Sequence, residues 1–540
     1  MTTGPLAKLL DAPALAPLRG RVYRGLWLAW AAANLAMWSH DVAAAWLMTQ
    51  ITSSPVMVAL VQTASTLPVF LFGIASGALA DIVDRRRWFA ATQLWVSANA
   101  ILLALLAALD ALTAPLLLLL TFANGMGLAA RWPVFSAIVP EVVKREELSQ
   151  AMALGGISMN LARVIGPVMA GALLAAAGPS VVFSVNAVFG VVSCVLVLRW
   201  KAQPKKASAL PGERFVGAMR VGLQHVAQSP AMKIAIGRVF IFFLQASALL
   251  ALLALVARDA GGGAGLYAVL MAAMGLGAIV SALQLPRLRQ RWAGDAMVRW
   301  GTLVHALAST LAVSLPTPWI QVPAVALTGA AWIATTNTLV TSAQMALPNW
   351  VRARGMSIYQ MAIMAGTAFG AWVWGHVAGW VGVAQAIAAA ALCGVVLLYL
   401  TRRWSIEGVA IDDLSPQPAR PIEVAIDVQP EEGPVMVQVE YRIDPADAAA
   451  FAEVMQATRA ARLRQGALSW GLFRDTAVPG RYVEYFVDEN WVEHLRRQER
   501  FTAADEGLRA RRLAFHKGEG PPVVKRYVAE GTVPEPGGLM

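Results

Sequence analysis

Apolar runs of about twenty residues, returning again and again with cations between them, constrain this chain more than any other feature. A helix crossing the hydrocarbon of a bilayer needs roughly 20 mainly apolar residues. Read on that basis, the chain is expected to form twelve spans, at roughly 25–48, 56–80, 88–109, 115–138, 151–176, 180–198, 233–256, 265–285, 297–315, 320–345, 356–380 and 384–401. With 57% hydrophobic and 14% charged residues the composition lies outside that of soluble domains. Residues 1–404 hold 28 Lys+Arg and 11 Asp+Glu, a net +17, whereas 405–540 hold 16 and 22, a net −6. The charge reverses at the end of the last run, which predicts a domain boundary near 404.

The basic residues form no continuous patch that would suit nucleic acid; they recur in the short connections. Arg19, Arg21 and Arg24 precede the first span, and Arg85, Arg86 and Arg87 follow the second. Lys144 and Arg145 follow the fourth, and basic residues from Arg199 to Arg220 fill the central connection. Arg287, Arg289 and Arg291 follow the eighth span, Arg352 and Arg354 the tenth, and Arg402 and Arg403 the twelfth. The alternate connections around 50–55, 177–179 and 315–319 have almost none, Arg258 being the exception. The positive-inside rule then places both termini in the cytoplasm. No short apolar core with a small-residue cleavage site precedes the first span, so a cleavable signal peptide is not expected. Cys194 and Cys393 lie inside apolar runs and read as small buried hydrophobes.

The chain repeats. An offset of 204 carries Gly73 to Gly277, Arg85 to Arg289, Arg87 to Arg291, Gly166 to Gly370, Gly178 to Gly382 and Trp200 to Trp404. Two six-helix repeats, about 20–200 and 225–404, suit a transporter that binds its substrate between them near the bilayer midplane. The turn after the second span carries Gly73, Gly77, Asp81, Asp84, Arg85, Arg86 and Arg87. Its counterpart keeps arginines but has Leu285 where Asp81 would fall.

Ionisable groups inside a span are costly and are functional candidates by default. Asp41 lies well inside the first span, beside His40, and a carboxylate in a low-dielectric cavity can take up and release a proton near neutral pH. It is the candidate coupling group. Arg131 in span four and Arg163 in span five, the latter three residues after Asn160, are its natural counterions or substrate contacts. His305 and His376 read as hydrogen-bonded packing residues. The Gly166-Pro167 and Gly171 positions permit close helix contact and a bend.

The run Gly77-Ala78-Leu79-Ala80-Asp81-Ile82-Val83-Asp84-Arg85-Arg86-Arg87 resembles the loop 2–3 signature of the major facilitator superfamily of secondary transporters. The run Arg163 to Gly171 resembles the span-five G-P-x-x-G-G motif of its exporter branch, with Ala170 at a glycine position. Residues 46–87 are similar to exporters related to enterobactin-type siderophore efflux, the transmembrane secretion effectors. These resemblances imply proton-driven efflux of a small amphiphilic molecule (drug, siderophore or secondary metabolite) from a multi-pass protein of the bacterial inner membrane. They also imply a gating role for the 77–87 turn, in which Asp81 and Arg85 hold the cytoplasmic side shut.

Beyond a Pro-rich acidic linker at 405–434, short elements follow in the order β-α-β-β-α-β, which predicts a ferredoxin-like α+β domain over 435–531 and a tail at 532–540. Residues 481–508 are similar to antibiotic-biosynthesis-monooxygenase-like domains, which pair, implying a homodimer through this domain. Asn490, Trp491 and His494 invite a cofactor-free oxygenase or haem-degrading reading of the extension, with no distant base or metal ligand set to support it; a regulatory or dimerising role is the plainer expectation. No G-x-x-x-x-G-K-[ST] phosphate loop is present in the sequence. The expectation is an all-α membrane protein with a small α+β domain, a non-enzymatic transporter with lipid, substrate and proton partners, and no metal or cofactor. The rival is a membrane-tethered enzyme or sensor acting through 435–531.

Overall fold

The computed structural model describes residues 13–82, 84–144, 147–200, 215–315, 317–406, 413–418 and 424–530. They fall into two compact units. The first takes Met1–Lys205, Ile236–Val340 and Tyr359–Ser405, and the second Lys206–Ala235, Thr341–Ile358 and Ile406–Met540.

The long helices of the first half are α1 (Arg21–Ile51), α2 (Pro55–Ile82), α3 (Arg85–Ala108), α4 (Ala114–Val142), α5 (Leu148–Ala177) and α6 (Pro179–Leu198). A connecting helix, α7 (Phe215–Gln228), leads to the second set: α8 (Pro230–Asp259), α9 (Gly263–Arg291), α10 (Gly294–Ser314), α11 (Pro318–Met345), α12 (Arg352–Val381) and α13 (Val383–Leu400). Each apolar run is thus a helix, extended by a turn or more at several ends because helical hydrogen bonding continues into the polar flanks. Among the described residues, ten helices are long and apolar enough to cross a membrane. The two that fall short are α1, which carries Asn34, His40 and Asp41, and α11, which is rich in threonine. The α11 hydroxyls of Thr328, Thr336 and Thr338 bond back to Val325, Trp332 and Ala334 carbonyls, so their polarity is absorbed within the helix. Large apolar side chains such as Leu283, Leu307 and Leu392 stand on the outer surface, as a lipid-facing bundle requires.

The internal repeat is visible in the backbone. Gly178 and Gly382, 204 residues apart, both hold positive φ, 82° and 95°, at the start of α6 and α13. An L side chain is disfavoured in that conformation, so the same reversal is built into both halves.

The halves share one apolar core, at the helix ends away from the amino terminus. Met48, Phe183, Leu252, Leu270, Val325 and Trp374 belong to it. A second core, of Tyr23, Trp30, Phe89, Phe135 and Trp200, belongs to the first half alone and lies near its terminus. Cross-half bonds follow the first core: Thr63 Oγ1 donates to the Ala368 carbonyl (3.0 Å) and Arg258 to that of Thr49 (3.3 Å).

The second unit holds a four-stranded antiparallel sheet, β1 (Val435–Arg442), β2 (Ser469–Arg474), β3 (Arg481–Asp488) and β4 (Val523–Val528), in the order β2-β3-β1-β4. Helices α14 (Ala448–Arg464), α15 (Trp491–Glu499) and α16 (Ala503–Leu513) complete it. Strand β1 alternates, turning Val435, Val437, Val439 and Tyr441 onto Phe451, Met455 and Phe486. Residues 413–418, expected as free linker, are tied to this unit: Ala503 and Ala504 N–H groups donate to the Ser415 and Asp413 carbonyls.

Helix α7 is an element of the central connection that its basic residues alone do not announce. Its period was present in Val221, Gly222, His225 and Val226, which form its buried face. Arg220 pairs with Glu489 at 2.6 Å, Gln224 donates to the Ala467 carbonyl (3.4 Å), and His225 Nδ1 lies 3.3 Å from the Arg464 carbonyl. Arg500 stacks over the Trp350 ring, 5.1 Å from its centroid.

Candidate functional site

Asp41 is partly buried on α1, and Ser65 Oγ of α2 donates to its Oδ1 at 2.8 Å. Tyr267, from α9 in the other half, is close enough to feel the Asp41 charge. The carboxylate therefore stands where the halves adjoin.

The structure does not bring the two arginines to it, which corrects their reading as counterions. Arg131, 4% exposed, donates to Asn34 Oδ1 (3.0 Å), contacts Met37 Sδ (3.8 Å) and lies 4.9 Å over the Trp30 ring. Those partners lie about one to three helical turns before Asp41 on α1, towards the amino terminus. Neutral oxygen, sulfur and a π face contact this guanidinium, while its Nε is buried without an acceptor. Arg163 donates to Asn160 Oδ1 at 3.0 Å, a local pair one turn apart on α5, while its Nε is buried without an acceptor.

Gly166 packs on α1, where an added Cβ would come 2.7 Å from Trp38 Cβ, and its carbonyl accepts from Ser39 Oγ at 3.3 Å. Gly171 packs on α9, where an added Cβ would lie 1.9 Å from Ala268 Cβ. Pro167 is buried inside α5 between them. The run 166–171 thus joins α5 to a helix of each half.

The turn between α2 and α3 connects three helices of the first half. Asp84 caps α3, accepting from the Arg87 N–H at 3.1 Å. Arg85 pairs with Glu141 at the end of α4. Arg86 donates to the Leu198 carbonyl at the C-terminus of α6, where a cation is favoured. Gly73, further up α2, has no neighbour within 4 Å of a Cβ position. The side chains of Gly77 and Asp81 lie outside the described residues, so the Asp81–Arg85 latch is not placed. Sequence reasoning missed Glu141; its signal was an acid at the end of an apolar span, three residues before Lys144. In the second half Arg289 donates to the Asn337 carbonyl (3.0 Å), and the position equivalent to Glu141 is Met345.

This difference predicts unequal effects. Arg85→Ala is expected to lower the initial transport rate about threefold, and Arg289→Ala less, since Arg85 loses its ion pair with Glu141, an acid that Met345 replaces at the equivalent second-half position. Rates measured at matched expression, equal for the two variants, would remove the asymmetry.

In the second unit His494 has the partner that the sequence did not reveal. Its Nδ1 lies 2.7 Å from Asp488 Oδ2, and Arg526 Nε donates to its Nε2 at 3.3 Å. Both ring nitrogens are engaged, consistent with a neutral imidazole, and burial first of all holds the His494 pKa below its ordinary value. Asn490 caps α15, accepting from the Glu493 N–H at 3.0 Å. These roles account for both residues structurally.

Solved structures with the same fold are transporters. A bacterial homolog to the human lysosomal transporter Spinster, inward-facing and unoccupied, superposes with TM-score 0.57 at 16% identity, over 72% of this chain and 98% of that one. The nucleoside transporter NupG gives 0.56 at 13%, over 71% and 98%. The membrane part accordingly has the fold of the major facilitator transporters. A family model described as transmembrane secretion effector matches residues 12–533, and the chain belongs to that family, whose members are transporters and not enzymes. The staphyloferrin A transporter of Staphylococcus aureus (strain NCTC 8325 / PS 47) is 26% identical over 168 residues, 30% of this chain and 42% of that protein. Macrolide efflux protein A of Streptococcus pyogenes is 21% identical over 150 residues, 28% and 37%. The chain thus spans about two-fifths of the length of these relatives.

Proposed function

We propose that the chain is a proton-coupled exporter of small amphiphilic molecules that works by alternating access. The observation that carries this reading is Asp41, a hydrogen-bonded carboxylate at the junction of two six-helix halves whose common core, among the described residues, lies on the side away from the amino terminus. A group so placed can be exposed to one side and then the other as the halves rock. The names of the relatives, one a siderophore transporter and one a drug efflux protein, support a substrate of that class. In this reading twelve spans cover 1–404, with both termini on the cytoplasmic face of a bacterial inner membrane. The 405–434 segment then leads to a ferredoxin-like domain at 435–531, consistent with the β2-β3-β1-β4 order, which could also pair two copies. The state described is then open to the cytoplasm. Arg131, Arg163 and Asn160 serve as substrate or helix-positioning contacts, and the 77–87 turn as the gate.

Inverted membrane vesicles loaded with the protein test this. A fluorescent amphiphile is expected to accumulate when the lumen is acidified, and to leak back on addition of a protonophore. Accumulation indifferent to the proton gradient would overturn the coupling, and no accumulation of any amphiphile screened would overturn export.

A further inference from the structure

Between the sheet of the second unit and helices α15 and α16 lies a cavity of about 200 Å³. Its apolar wall is Val437 and Val439 of β1 and Phe486 of β3. Its polar wall is cationic: Arg462, Arg497, Arg509, Arg512 and Arg526 all line it, and no aspartate or glutamate does.

Three of those charges are already answered. Arg462 Nε lies 3.0 Å from Glu484, which also accepts from Tyr441 and Trp470. Arg497 pairs with Asp488 at 3.0 Å, and Arg509 with Glu506 at 3.5 Å. Burial works against the Glu484 charge, and the Arg462 and Arg512 guanidiniums outweigh it, holding the carboxyl below its usual range. Arg512 and Arg526 are different. Neither has a carboxylate in ion-pair contact among the described residues. Arg512 is only 7% exposed and its Nε is buried without an acceptor. Arg526 donates its Nε to a neutral imidazole. Burial of the Arg512 guanidinium is unfavourable, and burial together with the Arg462 charge pushes its pKa down although the nearby Tyr441 and Glu484 act the other way. An acceptor supplied from outside would partner the buried Arg512 Nε and give the exposed Arg526 a charged partner.

We infer that this cavity is a binding site for a small aromatic or alicyclic carboxylate, its apolar body on Val437, Val439 and Phe486 and its carboxylate between Arg512 and Arg526. The size fits: an apolar cavity of about 150 Å³ holds a benzene ring, so this one admits a fused bicyclic body. The chemistry fits as well, because guanidinium forks bind carboxylates through paired N–H donors. The second unit is then a receptor for an anion, whatever the membrane unit carries.

Calorimetric titration of the full chain in lipid nanodiscs with naphthoate tests the site. One naphthoate per chain is expected, with neutral naphthalenemethanol binding at least about tenfold more weakly. Arg526→Gln, at an exposed position that leaves the fold undisturbed, should weaken naphthoate about tenfold, and Arg526→Lys should recover part of the loss. Arg512→Gln should do the same wherever its thermal unfolding matches the parent. Equal affinity for the alcohol, affinity unaltered by Arg526→Gln, or no naphthoate binding would each overturn the inference. So would affinity that follows Asp41→Asn, because the probe would then occupy the membrane unit.

Discussion

Gly171→Ala is expected to abolish transport or reduce it at least tenfold, although alanine is the smallest possible addition. A Cβ at 171 would lie 1.9 Å from Ala268 Cβ and 3.0 Å from its Cα, so no side-chain rotation can relieve the clash. The backbones of α5 and α9 must separate, and these helices join the two halves beside their common core. Close backbone approach through small residues is the main source of helix association within a bilayer, where burial against lipid gives little. The second change that tests the mechanism is Ala268→Gly, which removes the atom struck. Gly171→Ala combined with Ala268→Gly should recover most of the transport rate, measured at matched expression and with size-exclusion profiles confirming the folded protein. A double variant as impaired as the single one would show that this contact does not set the spacing.

Asp41→Asn should remove concentrative, proton-driven transport, by about two orders of magnitude, while energy-independent exchange of substrate across the membrane continues. Asparagine is nearly isosteric and its Oδ1 can still accept from Ser65 Oγ, now 2.8 Å from the carboxylate, so the junction of α1 and α2 is preserved. What disappears is the site that changes charge. Ser65→Ala is the graded companion, removing one hydrogen bond and costing a few-fold in rate. Exchange and active transport measured side by side in proteoliposomes separate the outcomes. Active transport unaffected by Asp41→Asn would exclude this residue from coupling. Loss of both activities with a folded protein would assign it to substrate binding.

The long helices were legible because length and hydropathy both report the thickness of a bilayer. The 204-residue repeat was legible for a related reason: Gly178 and Gly382 are required by a backbone reversal that both halves make. The elements of the extension could be read from the alternation in 435–442 and from Pro479-Gly480. Pairing was harder. Arg131 looked like a partner for Asp41 since both are charges inside spans, yet its contacts are Asn34, Met37 and the Trp30 ring. Sequence tells which groups need a partner, and only the helix rotation and register tell which neighbour supplies it. Glu141 and Asp488 were missed on the same ground, each an ordinary acid until the fold sets it beside Arg85 or His494. Helix α7 was missed because attention to its cations hid an amphipathic period in the same residues.

The route of the chain through the second unit bears on how the protein can be dissected. The polypeptide visits that unit on three separate passages, Lys206–Ala235, Thr341–Ile358 and Ile406–Met540, so the extension is closed by segments encoded far upstream of it. Deleting everything after Ser405 would not detach a bead from a string. It would uncover Val221 beside Gly466, strip His225 of its acceptor and leave Trp350 without the Arg500 plane above it. A shortened gene product would carry an exposed sticky helix between its two halves, and its poor yield would be misread as a loss of regulation. Surgical point changes, rather than truncation, are the way to ask what the extension does.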